Sequence, residues 1–293
     1  MTVQTAAGAG FRASAIGVIG AGRVGTALAL ALAERGHRVA AVASRRDNTA
    51  RALARRIAGA EAVPPADVAA RCELVFLTLP DAAVAPVAAE LGWRAGQAVV
   101  HTSGALDLAV LEPVIAREAL PGSFHPLRAF AAGEPGANPF AGVTCGIAGP
   151  PSLAPRLAEL AVALGARPLR IDGADRVLYH AAAVFSAGFG VALLAAARRA
   201  WALAGLPEAE ARAALAPLLM GAAANAAIQP LERALTGPIA RGEPDTVERH
   251  LAKLARDPEL ASLYRALTEL LLELPLPIAP EARARIEQVL KTR

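Results

Sequence analysis

Residues 15–25 read Ala15-Ile16-Gly17-Val18-Ile19-Gly20-Ala21-Gly22-Arg23-Val24-Gly25, a short apolar strand that runs into GxGxxG and continues as an Ala/Leu-rich helix to Glu34. Gly20 permits the tight turn, Gly22 lets the backbone approach phosphate oxygens with no side chain between, and Gly25 lets the helix pack closely on the strand. Ala21, Arg23 and Val24 complete the loop. The first helical N–H groups and the positive end of the helix dipole then face an anion. Glycines also punctuate ordinary turns, so the motif is weak alone. Its context, strand before and helix after, reads as a place to hold a diphosphate.

The second strand indicates which dinucleotide. His37 to Ser44 reads as that strand, and Ser44 falls about twenty residues past the glycine loop, where NAD-binding chains place an acid on the ribose 2′-hydroxyl. No acid stands here. Ser44-Arg45-Arg46 offers a hydroxyl and two guanidinium groups, which suit a dianionic 2′-phosphate because Arg donates in a planar fork. NADP(H) is the expected cofactor. The alternative is that Arg45 and Arg46, with Arg51, Arg55 and Arg56, form only a solvated helix face.

Outward from this junction, strands and helices alternate. Thr49 to Ala58 is read as helix, Glu61 to Val63 as a short strand, Leu74 to Leu79 as a continuous apolar strand covered on both faces, and the stretch to Leu91 as helix. Gln97 to Thr102 is the next strand. Ligands in such sheets lie beyond the carboxyl ends of the strands, which places Leu79, Pro80, His101, Thr102 and Ser103 toward the cofactor. Asp107 to Ala116 is read as helix, Phe130 to Phe140 as a surface loop, Val143 to Ala148 as strand, Leu153 to Leu164 as helix and Arg167 to Asp172 as a last strand. From Asp175 the pattern is helical only, beginning with one long helix to Leu203. The expected architecture is α/β, a doubly wound, mostly parallel Rossmann sheet followed by an all-α domain. Its divisions are 14–150 for the dinucleotide domain, 151–174 for a helix and strand completing it, and 175–293 for a helical substrate and dimerisation domain. A catalytic cleft is expected between them.

At 293 residues two domains are the natural expectation. The apolar fraction of 55% rests on Ala, Leu and Val, and the net charge of +4 is small, with Lys253 and Lys291 the only lysines. No basic run interleaved with aromatics appears, so nucleic acid is not an expected partner. Cys72 and Cys145 have no metal-type spacing, which points to free thiols, a reducing cytoplasmic compartment and no zinc site. Met1 to Ala13 lacks the basic start of a signal peptide and reads as a loose tail. Ala181 to Ala197 is charge-free but Ala- and Gly-rich and closed by Arg198-Arg199, so it reads as a buried core helix rather than a membrane span.

Hydride transfer from a nicotinamide leaves a substrate anion that needs a proton donor or a cation within hydrogen-bond reach. Dehydrogenases of this layout often use a Lys on the long interdomain helix, and this helix has none. His180 is the first candidate acid, because its unperturbed titration lies near neutrality; otherwise it is a buried His bonded to a carbonyl. His125, in a Gly/Pro-bounded segment, is the second, or else a loop brace. Ser103 would position the reacting group. His101 either orients the carboxamide of the cofactor or satisfies backbone. Ser186 and Asn225 are polar residues on apolar helices that reach the cleft or else bond between helices. Arg128 and Arg241 are candidate anchors for an acidic substrate, Arg241 standing in a Gly-Pro…Arg-Gly loop and having plain solvent exposure as its alternative.

The ordered set of the GAGRVG loop, Leu77-Thr78-Leu79-Pro80-Asp81, His101-Thr102-Ser103-Gly104-Ala105, Gly122-Ser123-Phe124-His125-Pro126-Leu127, Tyr179-His180-Ala181-Ala182-Ala183 and Thr236-Gly237-Pro238-Ile239-Ala240-Arg241-Gly242 resembles the Rossmann-like proteins whose C-terminal part is domain of unknown function 2520. The resemblance spans nearly the whole chain. It implies an NADP-binding domain of the type shared with pyrroline-5-carboxylate reductase and 6-phosphogluconate dehydrogenase, and a helical domain that commonly forms homodimers. Association of some relatives with pantothenate synthesis implies a 2-keto acid such as ketopantoate as a substrate, although ketopantoate reductases use a Lys that this helix lacks. Two positions depart from the family pattern: Gly188 stands where a polar residue is expected, and Glu243 where an Asp is expected. The expected activity is NADPH-dependent reduction of a small carbonyl or imine acid, with no membrane partner. The alternative is a non-catalytic NADP(H)-binding or sensing protein acting through its helices.

Overall fold

The computed structural model describes residues 14–130 and 138–292. The expected tail at Met1 to Ala13, and residues 131–137 of the expected Phe130–Phe140 loop, lie outside the described residues. Contacts divide the chain into Met1–Ala187 and Gly188–Arg293.

The first unit runs β1 (Ile16–Ile19), α1 (Arg23–Glu34), β2 (Val39–Ala43), α2 (Asp47–Ala54), β3 (Glu61–Ala62), α3 (Pro65–Arg71), β4 (Leu74–Leu77), α4 (Asp81–Glu90), β5 (Ala98–His101), α5 (Glu112–Ile115), β6 (Leu120–Pro126), β7 (Thr144–Ala148), α6 (Ala154–Ala163), β8 (Arg167–Arg170) and α7 (Arg176–Ser186). The strands form one sheet in the order β3-β2-β1-β4-β5-β6-β7-β8. The first six are parallel, β7 is antiparallel to β6, and β8 is parallel to β7. Alternate residues of each strand feed two apolar layers. Ile16, Val18, Leu74, Phe76 and Val100 meet Leu28 and Leu32 of α1 and Leu157 of α6; Ile19, Val75, Leu77 and Val99 meet Val68 of α3 and Val84 of α4. That is why the central strands read as unbroken apolar runs.

The register aligns Ala43, Ile19, Leu77, His101 and Ser123 in one row across β2, β1, β4, β5 and β6. The residues that follow each of them therefore emerge along a single carboxyl edge. The strand order reverses between β1 and β4, the crevice where open α/β sheets bind ligands.

Several elements differ from the sequence reading. Pro64-Pro65 opens α3, Pro65 occupying the first helical position. Residues 120–126 form a full strand inside the sheet rather than a turn-bounded segment. Asp107 to Ala116 is a 3₁₀ turn (Leu108–Leu111) followed by the short α5. Phe140 is wholly buried, and Asn138 ties that end of the expected surface loop to the Leu164 carbonyl at 2.6 Å. The expected single helix from Asp175 to Leu203 is interrupted at Ala187, between α7 and α8.

The second unit comprises α8 (Gly188–Leu203), α9 (Glu208–Ile228), α10 (Leu231–Ala234), α11 (Pro244–Leu254), α12 (Pro258–Leu272) and α13 (Pro280–Lys291). Its core gathers Ile239, Val247, Leu251, Leu272, Ile286 and Leu290. Asp257 caps α12, accepting from the Leu260 N–H at 3.1 Å. Helices α8 and α9 contribute only Ala211 to the buried set. The Ala181–Ala197 run is therefore not the buried core helix expected: Phe185 and Val191 are 68% and 69% exposed, and on α9 Leu218 and Met220 are 70% and 71% exposed. An apolar groove of about 530 Å³, lined largely by leucines of α8, α9 and α12, opens on these helices. The Arg176–Leu203 stretch and α9 are each long and apolar enough to cross a membrane by length and composition.

Candidate active site

The glycine loop has the shape its sequence requires. Gly20 lies at φ +115°, a backbone conformation open mainly to glycine. A Cβ on Gly20 would press into the Thr78 carbonyl, and one on Gly25 into the Gly20 carbonyl. Thr78 Oγ1 donates to the Gly20 carbonyl at 2.6 Å and so staples the end of β4 to the loop. Gly22 is the opposite case: it caps α1, no atom would meet a Cβ there, and no side chain caps the helix. With Ala21, Gly22, Arg23 and Val24 at least partly exposed and no acid in the first turn, the N-terminus of α1 is an open, positively polarised cradle. These residues fit a dinucleotide diphosphate.

Beside it, at the end of β2, Ser44 Oγ accepts from Thr49 Oγ1 at 3.0 Å. Arg45 and Arg46 are exposed, at the turn into α2. Leu79 and Pro80 follow Thr78 at the end of β4, Pro80 capping α4. Thr102 is half-buried, its N–H donating to the Leu77 carbonyl at 3.3 Å.

At the far side of the same edge strands β5 and β6 and helix α7 bring His101, His125 and His180 together. His125 Nδ1 lies 2.9 Å from the Tyr179 hydroxyl, and Tyr179 covers Gly146, the β7 residue paired with His125, where a side chain would collide with the hydroxyl. The His125 and His180 rings stand edge to face at 5.9 Å. Gly104 sits against both: a Cβ there would fall 2.5 Å from His180 Nδ1 and 2.8 Å from His125 Nε2. Among the described residues His180 Nδ1 is buried with no hydrogen-bond partner, and the fully buried His101 ring meets only the Asp107 backbone.

Burial, followed by His180, Arg176 and His101, pushes His125 down to about 4; burial and Arg176 do the same to His101. Both are neutral imidazoles at pH 7. Burial pushes the Tyr179 phenol up to about 12, so it keeps its proton. Arg176, at the start of α7, is the cation of the cluster and is absent from the candidates that the sequence reading singles out. It is buried, and its guanidinium donates to the carbonyls of Ser103 and Gly104 at 3.0 and 3.2 Å and to Ser123 Oγ at 2.8 Å. A lone Arg opening a helix looks like a surface residue until the fold closes over it.

The remaining candidates divide between the two units. Ser103 is buried, and its Oγ accepts the N–H groups of Ala105 and Leu106 at 3.2 and 3.1 Å, which makes it a turn brace. Arg128 is exposed just past β6, its N–H bonded to the Pro126 carbonyl. Ser186 is exposed at the end of α7. In the second unit Asn225 is exposed on α9, and Arg241 is exposed but gripped by Glu243, Nε to Oε1 at 2.6 Å and Nη2 to Oε2 at 3.3 Å. That pairing raises Arg241 and lowers Glu243, and it turns the Glu243 carboxylate away from capping α11.

Residues 3–126 match the Rossmann-like domain family, and residues 143–271 match the family described as domain of unknown function DUF2520. The two matches follow one another along the chain, a Rossmann-like part and then a DUF2520 part. The histidine cluster draws on both matches: Gly104 and His125 from the first, Arg176, Tyr179 and His180 from the second. No curated protein matches the chain significantly. Among solved structures it is similar to a protein of Bacteroides fragilis assigned as an NADP oxidoreductase, with 29% identity, 89% of this chain and 98% of that one covered, and a TM-score of 0.72. The fold is shared with a reductive aminase of Aspergillus terreus in complex with NADPH and ethyl levulinate (18% identity, 95% and 99% covered, TM-score 0.65). It is also shared with a 1-pyrroline-5-carboxylate reductase of Streptococcus pyogenes (16% identity, 89% and 98% covered, TM-score 0.63).

Proposed function

We propose that this protein is an NADPH-dependent oxidoreductase that reduces a small carbonyl or imine acid, with 2-keto acids as the first substrate class to examine. The observation that carries this reading is the single carboxyl edge. It sets an uncapped helix N-terminus and an exposed Arg45–Arg46 pair at one end, and a His125–Tyr179 hydrogen bond at the other. Similarity to the B. fragilis protein supports the oxidoreductase class.

Bound at the glycine loop, NADPH would supply the hydride. The chain's own residues do the rest. Backbone N–H groups of α1 hold the diphosphate, Ser44 with Arg45 and Arg46 hold the 2′-phosphate, and Arg128 holds the substrate's carboxylate from just past the strand that carries His125. With the Tyr179 hydroxyl as the donor to His125 Nδ1, Nε2 is the protonated nitrogen of a neutral ring. A neutral imidazole N–H serves as a hydrogen-bond donor to a developing anion, as a low-titrating histidine does in known isomerases. His180, across Gly104, is the second proton-handling group.

The exposed apolar faces of α8 and α9 support a homodimer formed through the helical unit, because isolated apolar patches of that extent mark interaction sites. The test of function is NADPH consumption against a panel of 2-keto acids and cyclic imines, with His125→Asn and His180→Asn alongside. Turnover lost in the His125 variant supports the assignment. NADPH binding with no turnover of any panel member would favour a sensing protein instead.

A further inference from the structure

Arg176 is 7% exposed, and its three hydrogen bonds all go to neutral oxygens, those of Ser103, Gly104 and Ser123. Its Cζ lies 5.6 Å from the centre of the Tyr179 ring. Among the described residues no carboxylate comes within ion-pair distance; Asp107 and Asp172 act on it only from farther away. An unpaired buried charge is costly, and a neutral amide could bridge such oxygens. What only a cation adds is its field on the neighbouring rings.

The groups facing His125 are His180, Tyr179 and Arg176 from α7, His101 from β5 and Asp81 from α4. Those facing His101 are Arg176, Asp81 and Asp107. Arg176 is the fixed positive charge common to both sets. Its fork also joins the turn after β5 to β6, and that turn carries the Gly104 on which His125 Nε2 and His180 Nδ1 converge.

We infer that Arg176 is a positioning residue of the histidine site: its three-way fork fixes the Ser103–Gly104 turn against both imidazoles and sets a fixed, unpaired charge beside them. The functional meaning rests on the role proposed for His125, but the device itself can be read without turnover. Proton–nitrogen correlation spectra of the imidazoles report charge and tautomer directly in the full chain.

In the wild type His125 is expected as one neutral tautomer, protonated at Nε2, down to about pH 5. Arg176→Gln should raise its titration midpoint, burial and His180 still holding it below the ordinary value, and mix the tautomers. Arg176→Lys keeps the charge but not the fork, so the low midpoint should persist while the tautomers mix. An unchanged midpoint and tautomer in Arg176→Gln would overturn the inference. Should that variant fail to fold by circular dichroism, a single unchanged tautomer in Arg176→Lys would overturn the fork. Calorimetry with NADPH on the wild type separates the two readings: absence of binding removes the proposed reductase and leaves the imidazole result standing.

Discussion

The hydroxyl of Tyr179 stands 2.9 Å from Nδ1 of His125, joining a helix of the DUF2520 part to a strand of the Rossmann-like part. Removing the hydroxyl leaves a buried ring nitrogen unsatisfied, at a cost of about 1–3 kcal/mol. Tyr179→Phe should therefore lower the unfolding midpoint. It should also cut NADPH-dependent turnover by roughly tenfold to a hundredfold with little change in NADPH affinity. Full retention of turnover would remove the hydroxyl from the mechanism.

The glycine loop separates stability from binding. Gly25→Ala drives a methyl into the Gly20 carbonyl and should cost about 1–3 kcal/mol or more. Gly22→Ala meets no atom in the protein. It should leave thermal unfolding nearly unchanged yet weaken NADPH, because the methyl occupies the space a phosphate needs. Titration calorimetry and thermal scans on both variants check this pair, and equal NADPH affinity in Gly22→Ala and wild type would place the diphosphate elsewhere.

Arg45 and Arg46 are exposed at the end of β2. Losing one charge-assisted hydrogen bond to a 2′-phosphate costs about 1.5–3 kcal/mol, or roughly ten- to a hundredfold in affinity. Arg45→Ala should weaken NADPH by that factor and spare NADH. Parallel losses for both cofactors would mean that the guanidinium groups serve only solvation.

Acid should destabilise the fold early. An unfolded histidine takes up its proton near 6.5, whereas His101 and His125 do so at about 4. Below pH 6.5 the unfolded chain thus binds more protons, and stability falls as pH drops from about 6.5 to about 4, with no further loss from these two groups below that. Urea unfolding at pH 7, 5.5 and 4 measures the decline. A His101→Gln,His125→Gln double variant should show a shallower one over that window; an equal slope would assign the acid sensitivity to other groups.

Much of the sheet is legible in the sequence because β1, β4 and β5 are apolar on both faces and therefore appear as unbroken runs. Strand β6 is not, since Pro121, Gly122 and Pro126 are turn signals that tertiary pairing overrides. Helix α3 hides behind a Pro pair that only helix-start chemistry explains. Within the site, the glycines and His125 announce themselves by motif. Arg176 depends on burial and on contacts made across more than fifty residues, which local spacing does not encode, whereas the brace that consumes Ser103 is a local turn to Ala105 and Leu106 that shows only once the backbone is placed. The exposure of α8 escapes the sequence for the same reason: an apolar helix looks alike whether its own chain or a partner covers it.

That exposure is testable. The wild type should sediment as a dimer, and Leu218→Glu,Met220→Glu should sediment as a monomer with its helix content intact. A monomeric wild type would leave the apolar face without the occupant proposed here.

Gly104 carries a consequence for reading relatives of this chain. Because two imidazoles crowd the one carbon it lacks, a homologue bearing alanine at this point must have surrendered one ring or swung both aside. Variation there should travel with loss of a histidine at 125 or 180, so a single column can sort relatives that retain the paired-ring chemistry from those that have abandoned it.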